Sequence, residues 1–286
     1  MENLHFSISS IIGALLEGTL AVLMPIAVLI IWKIKTKAKL VPFWIGCLIF
    51  PVFALVIESV CVAGIAFADK KMLNLLSNNL LLYTFSAAMA GIFEETGRFV
   101  AFKFLLRKYK DRRDSVTYGI GHGGIESIIL VGGSAALTLF IALVTNSGLL
   151  EQFTTAYNEG LKAAFIDSVE AMASSTFGTY MLAFFERISA VMIHISLSVL
   201  VFVSVRQKGK LWLYPLAVFI HFAVDCTVIL PHVLGTPLWL FEIVFFLASL
   251  AVAVCVAVYY QKLPQVFEAP APEMQAVPTD TYNTEI

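Results

Sequence analysis

The chain contains seven apolar runs that are each long enough to cross a lipid bilayer, and this feature constrains its fold more than any other. A transmembrane helix needs about 20 mostly apolar residues, because it rises about 1.5 Å per residue through a hydrocarbon core about 30 Å thick. Residues 145–175 are more polar and predict a surface or interfacial helix, although an eighth short span fits the same stretch. The sequence therefore predicts an all-α polytopic transmembrane bundle of seven or eight spans. The seven runs are residues 8–32, 41–66, 80–106, 115–144, 176–205, 211–230 and 238–260.

The composition is typical of a membrane protein. Of the 286 residues, 59% are hydrophobic and 14% are charged, whereas soluble domains carry about 25% charged residues. The net charge of -1 leaves no basic face for nucleic acid, so no nucleic-acid partner is expected. The four cysteines lie inside the apolar runs without CxxC spacing, so we expect small core residues rather than disulfides.

The two ends of the chain differ in character. No basic region precedes the first apolar run, so we predict an uncleaved first helix rather than a signal peptide. Residues 1–262 are predicted to form one transmembrane domain. Residues 263–286 are Pro-rich and acidic and lack helical periodicity, which predicts a disordered cytoplasmic tail.

The lysines and arginines predict the orientation in the membrane. In the seven-span arrangement, 14 of the 19 basic residues lie on one side, Lys70, Lys71 and Lys162 lie on the other, and Arg98 and Arg187 lie within spans. The positive-inside rule then places the N-terminus outside and the C-terminus in the cytoplasm. We therefore expect a multi-pass protein of the plasma membrane.

The third apolar run carries two adjacent carboxylates and an arginine near its middle, Glu94, Glu95 and Arg98. An ionisable group at the centre of a bilayer costs about 3 kcal/mol on insertion scales, so such groups are functional candidates by default. Glu94 and Arg98 are spaced i,i+4 and share one helix face. An arginine there keeps a neighbouring carboxylate ionised where desolvation would otherwise protonate it.

Further polar side chains are predicted at a similar depth on other spans. Helix rise places all of them about 12–22 Å from the basic side of the membrane. His122 and Glu126 share one helix face, and so do His221 and Asp225, because each pair is spaced i,i+4. The set that converges on this layer is Glu94, Glu95, His122, Glu126, His194, His221 and Asp225.

Imidazole nitrogens and carboxylate oxygens are the ligands of catalytic zinc sites, in which three protein ligands leave one position for water. The sequence has no HExxH helix, so such a site would be assembled across several helices of the bundle. We expect zinc as the cofactor, with a metal-free site that positions water as the alternative.

Four motifs follow one another along the chain: Glu94-Glu95-x-x-Arg98, His122-x-x-x-Glu126, His194 and His221-x-x-x-Asp225. Together they resemble the YhfC family of intramembrane metalloproteases, which is grouped with the CAAX-type, bacteriocin-processing and PrsW-type membrane proteases. The resemblance covers about residues 80–230 and implies a peptidase, with a membrane-embedded or membrane-associated peptide or protein as substrate. It implies that Glu94 or Glu95 is the general base. It also implies that His122, Glu126, His194, His221 and Asp225 hold metal or water, with either His122 or Glu126 facing the site.

Other interpretations of the same charges stay open. The polar layer would also suit a transporter or receptor that relays protons or binds a cation, and a relative can keep a fold and lose proteolysis. Glu17, Glu58 and Glu242 are expected to form hydrogen bonds between helices. Glu186 and Arg187 are expected either to form a structural ion pair with neighbouring helices or to belong to the site.

Overall fold

The computed structural model describes residues 4–68, 74 and 76–267, and these residues form helices and short connections with no β-strand. Several long helices contain π-helical or 3-10 turns without a break in the chain direction. The described helices are α1 (Ile8–Thr36), α2 (Val41–Phe50, Pro51–Ile57 and Glu58–Ala68), α3 (Asn79–Val100 and Ala101–Leu105), α4 (Arg112–Glu126, Ser127–Gly132 and Gly133–Asn146), α5 (Leu150–Phe153), α6 (Glu159–Ser174), α7 (Phe177–Arg206), α8 (Leu213–Asp225, Cys226–Val228 and Ile229–His232) and α9 (Leu238–Gln261).

The helices match the predicted spans. Within the described residues, six helices are long and apolar enough to cross a membrane: α1, α2, α4, α7, α8 and α9. The seventh predicted span is α3, whose run is interrupted by Glu94, Glu95 and Arg98. The predicted all-α polytopic bundle is therefore confirmed, and residues 159–174 form the predicted additional helix, most of which is exposed.

Polar side chains fix where several helices begin. Asn78 and Thr176 accept backbone hydrogen bonds at the starts of α3 and α7. Asp111 and Asp114 form a reciprocal capping box at the start of α4, which satisfies backbone N–H groups that have no partner within the helix. Each cap fixes the register of a helix that carries candidate site residues.

Chain direction gives the bundle two different ends. Lysines and arginines cluster where α1, α3, α7 and α9 end and where α2, α4 and α8 begin, and we call this the basic end. The other end, where α1, α3, α7 and α9 begin, is the opposite end. Of the predicted loop between the second and third spans, residues 69–73 and 75 lie outside the described residues.

The basic half of the bundle is tightly packed. The central helix α7 is buried along most of Ser189–Ser204, and Phe202 is fully buried. Phe102 of α3 contacts Phe202 edge to face, with ring centroids 5.2 Å apart. Leu263 and Phe267, in the described part of the predicted tail, are buried against this core, and the remaining tail, residues 268–286, lies outside the described residues.

Glycines allow α4 to lie very close to its neighbours on two faces. A Cβ atom at Gly119 would lie 2.6 Å from the Cα of Ile195 in α7, and a Cβ at Gly121 would overlap the backbone of Phe43 in α2. Helices can approach this closely only where no side chain stands between the backbones. The close approach brings His122 of α4 beside His194 of α7, with ring centroids 5.1 Å apart.

Candidate active site

One turn of α3 supplies a buried acidic pair and its counter-ion. Arg98 is fully buried and forms an ion pair with Glu95, while its Nη2 lies 3.6 Å from Oε2 of Glu94. Glu95 is fully buried, and its Oε1 lies 2.8 Å from Nδ1 of His221. Glu95 is therefore held on two sides by Arg98 and His221, and it does not line the cavity described below.

Glu94 occupies the centre of the cluster. Its Oε2 lies 3.0 Å from Nε2 of His122, a hydrogen-bond distance, and 3.8 Å from Nδ1 of His194. Its Oε1 lies 4.0 Å from Nε2 of His221. Three imidazoles from three helices thus surround one carboxylate, which lines the cavity.

A second arginine holds the carboxylate of Glu126. Nη1 of Arg187 donates to Oε1 of Glu126 at 2.9 Å, and Arg187 also pairs with Glu186. Glu126 contacts Nε2 of His194, and Arg98 contacts Nδ1 of the same ring. His194 is therefore fixed at both nitrogens, between the two arginine-carboxylate groups.

His221 faces the cavity together with Asp225. Its Nε2 lies 3.3 Å from Oδ2 of Asp225, one helical turn further along α8. The Asp225 side chain is 32% exposed, whereas His221 is buried. The imidazole is thus oriented by Glu95 at one nitrogen and by Asp225 at the other.

Three of these side chains fit the requirements of a metal ion. One ligand atom each from Glu94, His122 and His194 lies within 4.8 Å of the others, and all three residues are buried. Ligand atoms at about 2.1 Å from a tetrahedral zinc lie about 3.4 Å apart, and the separations of 3.0 and 3.8 Å from Oε2 of Glu94 bracket that value. Two imidazoles and one carboxylate leave the fourth position open for water.

The guanidinium of Arg98 occupies part of the space that a metal ion at these three residues would need. The guanidinium contacts Nδ1 of His194 as well as the two carboxylates of α3. A metal on that nitrogen requires the guanidinium to withdraw toward Glu95. The same contact would suit a metal-free site in which glutamate and histidines hold water.

A cavity of about 370 Å³ opens from this cluster. Glu94, Glu126, His194 and His221 line one part of it. The remaining walls combine apolar and acidic side chains from α2, α3, α4, α7, α8 and α9. They include Glu58, Tyr83, Ala87, Ala90, Leu130, Glu186, Arg187, Ala190, Asp225, Phe241 and Phe245.

The structure brings all eight predicted site residues into one contact network. Both His122 and Glu126 face the cluster, because His122 contacts Glu94 and Glu126 contacts His194. Arg187 forms the expected ion pair with a neighbouring helix, through Glu126, and it also pairs with Glu186 on its own helix.

Sequence reasoning missed that Glu58 and Tyr83 line the cavity. The signal for Glu58 was a charge within an apolar run. The hydrogen bonds between helices expected of Glu17, Glu58 and Glu242 are absent among the described residues.

Comparisons with known proteins agree with this architecture. The chain is 33% identical over 198 residues, covering 69% of this chain and 76% of the other, to the protein named "Uncharacterized membrane protein YhfC" of Bacillus subtilis (strain 168). No solved structure matches the chain. A family model described as YhfC intramembrane metalloprotease matches residues 20–245, which include every residue of the cluster. The chain is therefore a multi-pass membrane protein that belongs to the YhfC family.

Proposed function

We propose that this protein is an intramembrane metal-dependent endopeptidase in which Glu94 activates water to hydrolyse a peptide bond. The observation that carries the proposal is the position of Glu94, whose carboxylate lines the cavity within reach of three histidines. The family description supports the same chemistry. The substrate is a membrane-embedded or membrane-associated peptide, which the cavity would receive within the bilayer region.

The attacking water would lie between Oε1 of Glu94 and Nε2 of His221. These atoms are 4.0 Å apart, which exceeds a direct hydrogen bond and suits a bridging water. Glu94 takes a proton from the water while the oxygen of that water attacks the carbonyl carbon. The same proton then passes to the amide nitrogen, the C–N bond breaks, and the products are a carboxylic acid and an amine.

The other side chains hold these groups in place. Glu95 holds Nδ1 of His221, and the Nε2–H, which faces Asp225 at 3.3 Å in the resting site, would turn to donate to the oxyanion that forms on the carbonyl oxygen. Arg98 and Glu95 neutralise each other and fix the turn of α3 that presents Glu94. A fixed donor aimed at a developing charge is worth about 10²–10³ in rate.

Glu94, His122 and His194 would hold the metal, and zinc is the ion that this ligand set suits best. When bound there, the metal lowers the pKa of its water and polarises the carbonyl. Glu126 would orient His194 at the ring nitrogen away from Glu94, as carboxylates commonly do for histidine ligands. Because the positive-inside rule is the basis for orientation, we place the basic end in the cytoplasm and the N-terminus outside at the plasma membrane.

The first test is metal content. Detergent-purified wild type, His122→Ala and His194→Ala are compared by mass spectrometry with His232→Ala, whose ring stacks on Tyr83 at 4.9 Å and is not in the cluster. We expect about one zinc per chain in wild type and His232→Ala and loss of zinc in the other two variants. Zinc that persists in both cluster variants would contradict the proposed ligands.

The second test is hydrolysis itself. Proteoliposomes are incubated with a library of single-span peptides in ¹⁸O-water, and mass spectrometry detects new carboxyl termini that carry one ¹⁸O atom. Glu94→Gln should lose activity by about 10²–10⁴-fold, while Glu242→Gln, on α9 outside the cluster, should keep it. Equal cleavage by wild type and Glu94→Gln would exclude Glu94 as the base. A folded, metal-free wild type without cleavage would favour the transporter interpretation.

A further inference from the structure

The cavity runs from the polar cluster toward the opposite end of the bundle. Tyr83 lies near the start of α3 and Phe241 near the start of α9, and both helices begin at that end. Helix rise places Glu94 about 16 Å and Tyr83 about 33 Å from the basic end of α3. The cavity walls therefore extend about 17 Å from Glu94 toward the opposite end.

The basic end is closed by side chains. Phe102, Leu106 and Phe202 are fully buried between Glu94 and the basic loops. Leu263 and Phe267 pack over the same core after α9 ends. A water or peptide could pass from the basic loops to Glu94 only by displacing this apolar core.

The packing of α4 agrees with an opening at the opposite end. The first part of α4 packs on α1, α2 and α7, whereas the part beyond the π-helical turn Ser127–Gly132 packs on α1 and on the surface helices α5 and α6. Leu130, in that turn, lines the cavity. The second half of α4 thus lies against α1 while the cavity occupies the space beside Leu130.

The cavity is also more acidic than basic. Glu58, Glu186 and Asp225 line it beyond Glu94, and Arg187 is its only lining arginine or lysine among the described residues. Arg187 is already paired with two carboxylates, while Glu58 forms no ion pair within the described part of the chain. In addition, the buried Glu94 lines the cavity, and the nearest histidine nitrogen to its Oε1 among the described residues is Nε2 of His221, at 4.0 Å.

We propose that the substrate reaches Glu94 from the end opposite the basic loops, and that the acidic lining selects a peptide segment carrying lysine or arginine next to the bond that is cut. That a substrate is cleaved at Glu94 rests on the proposed function, whereas the route and the charge preference rest on the cavity alone. Clefts lined by one sign of charge raise the local concentration of oppositely charged ligands by about 10–10³-fold. We assign Glu58 as the specificity-determining residue, because no lysine or arginine of the described residues pairs with it and it lines the cavity.

Thiol labelling in sealed vesicles tests the route without any catalytic assay. The four native cysteines, which form no disulfide, are first replaced. Ser86→Cys lies in the cavity wall, and Ser198→Cys is a matched change on the basic side of His194, where Ser198 is fully buried. Ser147→Cys and Lys208→Cys, in exposed turns, mark the opposite and basic ends. A membrane-impermeant methanethiosulfonate is added to right-side-out and to inverted vesicles.

We expect Ser86→Cys to react from the same side as Ser147→Cys and not from the side of Lys208→Cys. Ser198→Cys should stay unreactive from both sides until the protein is denatured. Reaction of Ser86→Cys from the side of Lys208→Cys, or from neither side, would overturn the proposed route. Because labelling needs no turnover, either result leaves the test of hydrolysis separate.

Reagent charge tests the second half of the proposal. On Ser86→Cys, a trimethylammonium methanethiosulfonate should react about tenfold faster than a sulfonate reagent of similar size, after correction for their rates with a free thiol. Adding Glu58→Gln should reduce this ratio several-fold, whereas adding Glu151→Gln, on the surface helix α5, should not. An unchanged ratio in Glu58→Gln would refute the role of Glu58 and leave the route intact.

Discussion

Replacing Glu95 by glutamine should destabilise the protein strongly, whereas the same change at Glu94 should not. Glu95 and Arg98 are both fully buried and paired, and His221 also contacts Glu95. Removing one partner of a buried ion pair costs about 3–5 kcal/mol, because the other charge is left uncompensated. Glu94, 3.6 Å from Arg98, still offsets part of that charge, which favours a cost near the lower limit, about 3 kcal/mol.

Thermal unfolding in detergent measures the difference. At about 2–4 °C per kcal/mol, Glu95→Gln should lower the unfolding midpoint by roughly 6–12 °C. In chelator-treated protein, Glu94→Gln keeps the pair of Glu95 with Arg98 and should stay within about 3 °C of wild type. The double variant Glu95→Gln with Arg98→Met should recover much of the loss, since removing both members of a buried pair is often nearly neutral. An equal loss in the two single variants, or no recovery in the double variant, would refute the structural role of Glu95.

Two further predictions concern the packing around the site. Gly119→Ala should destabilise the crossing of α4 and α7 by about 1–3 kcal/mol, because its Cβ would lie 2.6 Å from backbone. In the control Gly133→Ala, the new Cβ would have no atom within 4 Å, so this change should be neutral or slightly stabilising. Equal thermal midpoints for the two variants would contradict the close approach. Truncation after Lys262 removes the buried Leu263 and Phe267 and should cost about 3–5 kcal/mol, while truncation after Phe267 should cost little, as judged by the same melting assay.

The seven spans were predictable because length and apolar composition alone satisfy the bilayer. Pairs on one helix were predictable for a similar reason, since i,i+4 spacing fixes the faces that Glu94 and Arg98, or His221 and Asp225, present. Both pairs are found in contact in the structure, at 3.6 and 3.3 Å.

Contacts between helices could not be predicted, because they depend on how each helix is rotated about its axis. Adjacent residues point about 100° apart on a helix, so sequence alone could not tell whether Glu94 or Glu95 faces the cavity. The structure places Glu94 in the cavity wall and Glu95 behind it. Arg187 as the partner of Glu126 was likewise invisible, since the two residues lie on different helices.

Charge balance within the cluster argues for a divalent ion. Glu94, Glu95, Glu126, Glu186 and Asp225 contribute five negative charges to the contact network. The two arginines offset two of these charges. An unbalanced charge in a water-poor interior is costly, and one zinc ion among Glu94 and the two histidines would neutralise two of the remaining three, which leaves one negative charge at the partly exposed, cavity-facing side.

The excess negative charge predicts a crossover in stability between wild type and Glu94→Gln. In chelator, Glu94→Gln should melt at a higher temperature than wild type, because one uncompensated negative charge is removed. With zinc at about 100 times its Kd, wild type should gain about 2.7 kcal/mol by mass action and should melt above the variant, which has lost a ligand. An equal rise in the melting temperatures of wild type and Glu94→Gln on adding zinc would indicate that the ion binds elsewhere. A wild type that gains nothing from zinc would leave the excess negative charge to be balanced by protons, as in a site where glutamate and histidines hold water without a metal.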